Sequence, residues 1–81
     1  MRVVQEIPGE HYNTTIYSWN NRLLIKFEAG PLEQTYKVSE LDLLPGTDLA
    51  AVVADPDFSK KIVKRFTEMD QDFGQLISEY I

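Results

Sequence analysis

The side chains that could carry out catalysis are few and show no catalytic spacing. His11 is the only histidine, and it follows Pro8-Gly9-Glu10, a combination that predicts an exposed turn. Glu6 and Glu10 could in principle act as paired carboxylates, but nothing in the sequence predicts that either is buried. No serine lies in a nucleophile elbow. The fold could still bring a serine, His11 and a carboxylate together as a catalytic triad. We nevertheless expect a non-enzymatic protein without catalytic residues.

Two acidic segments begin like a calcium-binding loop but lack the residues that the loop requires at its later positions. An EF-hand loop needs glycine at position six and glutamate at position twelve. Counted from Asp70, the glycine falls at the fifth position and Ile81 occupies the twelfth; counted from Asp55, the two positions hold lysine and phenylalanine. The four glycines are isolated, so no phosphate-binding loop is present either. We therefore expect no metal site and no cofactor.

One cluster of basic residues could bind an anion. It comprises Lys60, Lys61, Lys64 and Arg65, which could attract a phosphate-bearing or acidic partner. Spacings of four residues, such as that between Lys64 and Glu68, also fit a solvated helix face with weak ion pairs. The cluster thus supports, as an alternative function, a small regulatory domain that binds an anionic ligand of unknown identity.

Composition limits the class of protein. The chain has 81 residues, a formal net charge of −5 and no cysteine. The acidic balance argues against a general nucleic-acid binder, which needs a net basic face. The absence of cysteine excludes disulfides and thiolate metal sites. The first residues lack the apolar stretch of a signal peptide or a membrane span. We expect one cytoplasmic domain over residues 1–81 that binds neither nucleic acid nor membrane.

Four segments of the first half have the composition of β-strands. They are Met1–Ile7, Tyr12–Trp19, Arg22–Ala29 and Leu32–Val38. Asn20-Asn21 and Gly30-Pro31 predict two-residue turns between the last three segments. With both turns, Ile16 lies opposite Ile25 and Ile25 opposite Tyr36, so the two hairpins place the same side chains on one face. The turns predict an antiparallel three-stranded meander, and the position of the first segment as a fourth strand stays open.

The last third of the chain predicts helices. After a linker over Glu40–Gly46, Thr47 is expected to cap a short helix that ends at Val53. Asp55 followed by Pro56 is typical of the start of a longer helix. Apolar residues then recur within an arc of about 100° on the helix. They are Phe58, Ile62, Phe66, Met69, Phe73, Leu76, Ile77 and Tyr80. This apolar stripe predicts that the helix covers one face of the sheet, giving an α+β two-layer domain.

The other face of the predicted sheet carries an apolar patch. The register places Tyr17 opposite Leu24 and Trp19 opposite Arg22, with charged side chains around them. Such a patch, rimmed by polar residues, is typical of a protein interface. A second interpretation is that another part of the chain folds over it: the first strand, Glu10–His11 or Leu41–Leu44. Because a small core gains from association, we predict an interaction module that self-associates, or docks a protein partner, through Tyr17, Trp19 and Leu24.

Several segments resemble small uncharacterised bacterial proteins of about this length. The similar segments are Glu6–Gly9, Tyr17–Asn21 and Leu32–Val38, followed by a C-terminal helix with an acidic cap. The resemblance covers most of the chain and implies a bacterial cytoplasmic protein. It includes no catalytic motif and assigns no functional residue.

Overall fold

A computed structural model describes residues 1–81 and contains four strands and two α-helices. The strands are β1 (Arg2–Ile7), β2 (Asn13–Trp19), β3 (Arg22–Ala29) and β4 (Leu32–Ser39). A 3₁₀ turn over Glu40–Asp42 leads to α1 (Leu49–Val53) and α2 (Pro56–Ile77). The strands form one antiparallel sheet in the order β1-β2-β3-β4, and α2 packs on one face. The predicted α+β architecture is confirmed.

Two-residue turns fix the register of the central strands as predicted. Asn20-Asn21 has φ values of 51° and 62°, the left-handed conformation that a type I′ hairpin turn requires. Gly30 has a φ of 60° and begins the second turn. As a result, Ile16 pairs with Ile25 and Ile25 pairs with Tyr36, so alternate side chains of three strands share the face toward α2.

The first strand lies at the edge of the sheet beside β2, a position that the sequence left open. Val3 pairs with Tyr17 and Ile7 with Thr14, with a bulge between Val3 and Gln5. A bulge bends the strand and interrupts its unpaired edge, which disfavours edge-to-edge pairing with another sheet. Val3 therefore joins Tyr17 on the face that points away from α2.

The core lies between the sheet and the first half of α2. Its buried apolar side chains are Ile16, Ile25, Phe27, Ile62 and Phe66. The ring of Phe27 lies edge-on to those of Tyr12 and Phe58, at centroid distances of 5.6 and 5.9 Å. Gln34 Nε2 donates a hydrogen bond of 3.0 Å to the carbonyl oxygen of Ile62, which ties β4 to α2. Only six of the 81 residues are buried, so the core is small.

The cap predicted for α1 was wrong by one residue. Asp48 is the N-cap, and its Oδ1 accepts a hydrogen bond of 3.3 Å from the N–H of Ala51. Thr47, the predicted cap, instead donates its hydroxyl to the carbonyl oxygen of Leu44 at 2.7 Å. The Thr47 hydroxyl is therefore engaged in the preceding turn, and the carboxylate of the next residue, Asp48, caps the helix.

The long helix begins as predicted but extends beyond the sheet. The Oδ2 atom of Asp55 accepts a hydrogen bond of 2.9 Å from the N–H of Phe58 and caps α2. Met69 is the last residue of the apolar stripe to pack against the core. Past it, Phe73, Leu76 and Tyr80 are 54%, 64% and 74% exposed. The stripe thus covers the sheet with its first half only.

Candidate interaction surfaces

The face of the sheet away from α2 carries the predicted apolar patch. Trp19 is 49% exposed, and Tyr17 and Leu24 are half-buried. Tyr17 pairs with Leu24 as predicted, and Val3 extends the row onto β1, where its side chain is about half exposed. We call the surface formed by Val3, Tyr17, Trp19 and Leu24 the sheet patch. Four apolar side chains on neighbouring strands form a continuous surface that water contacts.

Lys26 borders the sheet patch in a defined geometry. Its Nζ atom lies 3.4 Å from Oε1 of Glu28 and 3.9 Å from Oε1 of Glu33. The same atom lies 5.4 Å from the centroid of the Tyr17 ring, a cation–π distance. Desolvation lowers the pKa of Lys26, but hydrogen bonds to Glu28 and Tyr17 and attraction to both carboxylates raise it, for a net upward shift. Lys26 is therefore a permanent positive charge at the edge of the patch at neutral pH.

The segment that could have covered the sheet patch does not fold over it. Leu41 and Leu44 are 88% and 79% exposed, so neither packs on the sheet. The start of this segment is held elsewhere, because the N–H of Glu40 donates to the carbonyl oxygen of Asn21 at 3.0 Å. Ser18 also donates its hydroxyl to Oε1 of Glu40, at 3.4 Å. The chain itself leaves the patch accessible.

The residues of the predicted basic cluster lie on α2 beside two different depressions. Lys61, Lys64 and Arg65 line a surface depression together with Glu68, whereas Lys60 lines a different cleft. None of the four basic side chains lies within 4 Å of a carboxylate, so the expected ion pair between Lys64 and Glu68 is not formed. The carboxylate of Glu68 nevertheless lowers the attraction of the depression for an anion.

A cleft of about 400 Å³ lies between the β1–β2 connection, α1 and the first half of α2. Its polar lining includes Glu10, His11, Ser59 and Lys60, and apolar side chains such as Ile7 and Val53 make up much of the rest. This volume is in the range of small-molecule sites. The cleft could not be predicted from the sequence, because its lining comes from three separate segments that no local spacing connects.

Gly9 shapes the wall of this cleft. Its N–H donates a hydrogen bond of 3.1 Å to Oδ1 of Asn13, which closes the β1–β2 connection. A Cβ atom placed on Gly9 would lie 2.5 Å from the carbonyl oxygen of Tyr12. Because backbone atoms cannot move aside as a flexible side chain can, only glycine fits this connection as it is folded.

Comparison with known proteins found no relative of this chain. No family model matches it, and neither the curated proteins nor the solved structures contain a match. No helix combines the length and apolar content needed to cross a lipid bilayer. No three metal-ligating side chains are grouped to hold an ion. Any proposal for function must therefore come from the surfaces of the chain itself.

We predict that Gly9→Ala lowers the free energy of unfolding by about 1–3 kcal/mol, because the backbone must shift to admit the methyl group. Gly74→Ala is the matched control. A Cβ atom there meets no atom within 4 Å, and alanine is favoured over glycine inside a helix by about 1 kcal/mol. Urea denaturation followed by circular dichroism measures both variants. A Gly9→Ala protein as stable as the wild type would contradict the tight connection.

Proposed function

We propose that this protein is a non-enzymatic interaction module that self-associates. The observation that carries the proposal is the surface of the folded chain. It exposes 6186 Å², whereas a compact monomer of 9.3 kDa exposes about 5,000 Å². Its Cα radius of gyration is 14.6 Å, against about 12 Å for a compact chain of this length. The excess of about 1,200 Å² is larger than the roughly 800 Å² that each partner buries in a standard interface.

The interface that we propose is the sheet patch, and the occupant is a second copy of the chain. Its charged border contains both signs: Lys26 lies near Glu28 and Glu33, and Lys37 pairs with Leu24. A twofold contact places the same surface on both sides, so a border of mixed charge can be complementary to itself. The apolar row at its centre supplies the area that is removed from water. Association then covers the apolar side chains that the core leaves exposed.

The proposal also covers the cellular location of the protein and the class of its partner. We place the protein in the cytoplasm, since its cysteine-free sequence uses none of the disulfides that small domains of oxidising compartments depend on. Neither nucleic acid nor an anionic membrane is proposed as a partner, because the net charge of −5 opposes both. No cofactor is proposed.

Leu24→Asp tests the sheet patch. An aspartate there would be buried without a partner on association, and we expect the dissociation constant for this contact to rise at least 30-fold, the effect of about 2 kcal/mol. Trp19 is the only tryptophan and lies in the patch, so its emission reports this contact directly. With rising protein concentration the wild type should show a blue shift and weaker acrylamide quenching, and the variant should not.

Leu41→Asp provides the matched control, because it introduces the same charge at an exposed leucine outside the patch. Its Trp19 emission should depend on concentration as in the wild type. Thermal unfolding followed by circular dichroism checks that both variants remain folded. A folded Leu24→Asp protein with the wild-type concentration dependence would show that the sheet patch is not the interface.

A second candidate function is the binding of a small anionic molecule, and the cleft is the observation that favours it. Lys60 supplies a positive charge there, which the Glu10 carboxylate partly offsets, and His11 and Ser59 can donate hydrogen bonds. The neighbouring apolar side chains suit a ligand that combines a phosphate or carboxylate group with an apolar portion. Because Lys60 lies in the cleft and the other three basic residues do not, the proposed site differs from the basic face predicted from sequence.

Phenyl phosphate is a suitable probe, since it joins an aromatic ring to a phosphate group. Titration followed by amide chemical shifts should show saturable changes at Ser59 and His11. Lys60→Glu should lower the affinity at least about 10-fold, because a charged hydrogen bond contributes about 1.5–3 kcal/mol. Arg65→Glu, about 140° around α2 from Lys60, should leave the affinity unchanged. Saturation that depends on Arg65 rather than Lys60 would return the site to the basic face, and no saturation would reject this candidate.

A further inference from the structure

The two edges of the sheet differ in how well they are protected against pairing with another strand. β1 carries the bulge between Val3 and Gln5, whereas β4 pairs with β3 over its whole length without a shift of register. β4 has eight residues and contains no proline. A long, regular edge strand without proline is a template to which another strand can add. We call the outer side of β4 the open edge.

The turn before β4 determines which backbone groups the open edge presents. Ala29 and Leu32 flank this two-residue turn and form a hydrogen-bonded pair. Hydrogen-bonded and non-hydrogen-bonded pairs alternate along an antiparallel ladder, so Glu33, Thr35 and Lys37 point their N–H and C=O groups away from β3. All three residues are exposed, and no backbone hydrogen bond from a turn or loop reaches these groups. The open edge therefore offers a row of free donors and acceptors.

The side chains of the open edge carry charges that the chain itself does not balance. Glu33 lies directly opposite Glu28, and the two carboxylates share one cation, Lys26. Like charges directly opposite each other destabilise a sheet. Lys37 lies opposite Leu24 and has no carboxylate within 4 Å. An excess carboxylate and an unpaired cation thus lie four residues apart on the same face of β4.

We infer that β4 pairs in antiparallel orientation with β4 of a second copy, with Thr35 opposite Thr35, so that two sheets become one. The inference rests on the self-association proposed above and adds a contact distinct from the sheet patch. In this register Glu33 of each copy lies opposite Lys37 of the other, and the outward backbone groups of all three residues are paired. The partner's Lys37 supplies the second cation that Glu28 and Glu33 lack.

The charges of β4 select this register and a second copy as the occupant. A shift of two residues in either direction sets Glu33 and Lys37 opposite neutral residues. A shift of four sets two glutamates or two lysines opposite each other, which is unfavourable. A shift of one residue brings the outward groups of one strand opposite the inward groups of the other. The segment from Glu33 to Lys37 is thus complementary to its own reversed copy.

The face of the sheet toward α2 also permits the contact. In the same register Leu32 of each copy lies opposite Val38 of the other, and both side chains are half-buried in the single chain. Tyr36 points to this face and is 42% exposed, so α2 does not close over the edge. The depression lined by the basic side chains of α2 includes no residue of β4. These exposed charges are screened over about 8 Å at physiological salt.

Two variants separate the open edge from the sheet patch. Thr35→Pro removes an outward N–H that the chain's own sheet does not use, so an edge strand should tolerate it. Trp19→Asp disrupts the sheet patch; it replaces Leu24→Asp here because an aspartate at position 24 would lie opposite Lys37. By light scattering after size exclusion, each variant should form a dimer, the wild type a larger species, and the double variant a 9.3 kDa monomer.

Thr35→Val is the matched control, because valine has nearly the shape of threonine and keeps the backbone N–H. It should retain the wild-type mass, and circular dichroism checks that all variants are folded. If Trp19→Asp is monomeric at every concentration while the wild type associates, the edge contact is wrong and the sheet patch stands. A folded Thr35→Pro protein with the wild-type mass also rejects the edge contact. A wild type that is monomeric at every concentration overturns both proposals.

Charge reversal tests the register without the proline, in the Trp19→Asp background where only the edge contact remains. Lys37→Glu should raise the dissociation constant of the dimer about 10-fold, because both opposite-charge pairs become pairs of carboxylates. Adding Glu33→Lys restores opposite charges and should return the constant to within about 3-fold of the background value. Absence of restoration, in variants that remain folded, would contradict pairing about Thr35.

Discussion

Phe27 joins the two layers of this fold, and its position depends on the register of the sheet. Its side chain is 1% exposed and lies edge-on to the rings of Tyr12, Tyr36 and Phe58, which come from three other parts of the chain. A slip of one residue in the pairing of β3 would turn Phe27 toward solvent and direct Lys26 into the core. The two-residue turns on either side of β3 prevent that slip. The small core therefore depends on turn geometry as much as on the apolar side chains themselves.

A fold built in this way buries only part of its apolar surface. One sheet face packs under the first half of α2, but the other face has no second layer, and α2 is longer than the sheet that it covers. Eight of the twelve exposed large apolar side chains lie on these two surfaces and on the Leu41–Leu44 segment; Met1, Val4, Tyr36 and Val52 lie elsewhere. In a domain of this size each unburied aromatic or leucine side chain is a large share of the available stabilisation. We propose that association supplies the burial that the fold itself omits.

The meander could be predicted because each of two turns has a fixed length, and both turns independently place the same residues on one face. The position of β1 could not, because the longer connection over residues 8–12 does not determine a register. The cap of α1 was ambiguous for a different reason: Thr47 and Asp48 are both good capping residues, and the bond from Thr47 to Leu44 decides between them. Periodicity showed which side of α2 is apolar, but it contains no information about where the sheet beneath it ends. The cleft beside Lys60 depends on three segments meeting in space, which no local pattern records.

The central proposal is that the folded chain is a component of an assembly rather than a complete unit. Absolute mass in solution, measured by light scattering across a wide range of protein concentration, tests it most directly. The account predicts a mass above the 9.3 kDa of one chain, rising with concentration to a defined multiple. A mass of one chain at every concentration would contradict it, and would show that the exposed sheet face and the end of α2 are tolerated in an isolated monomer.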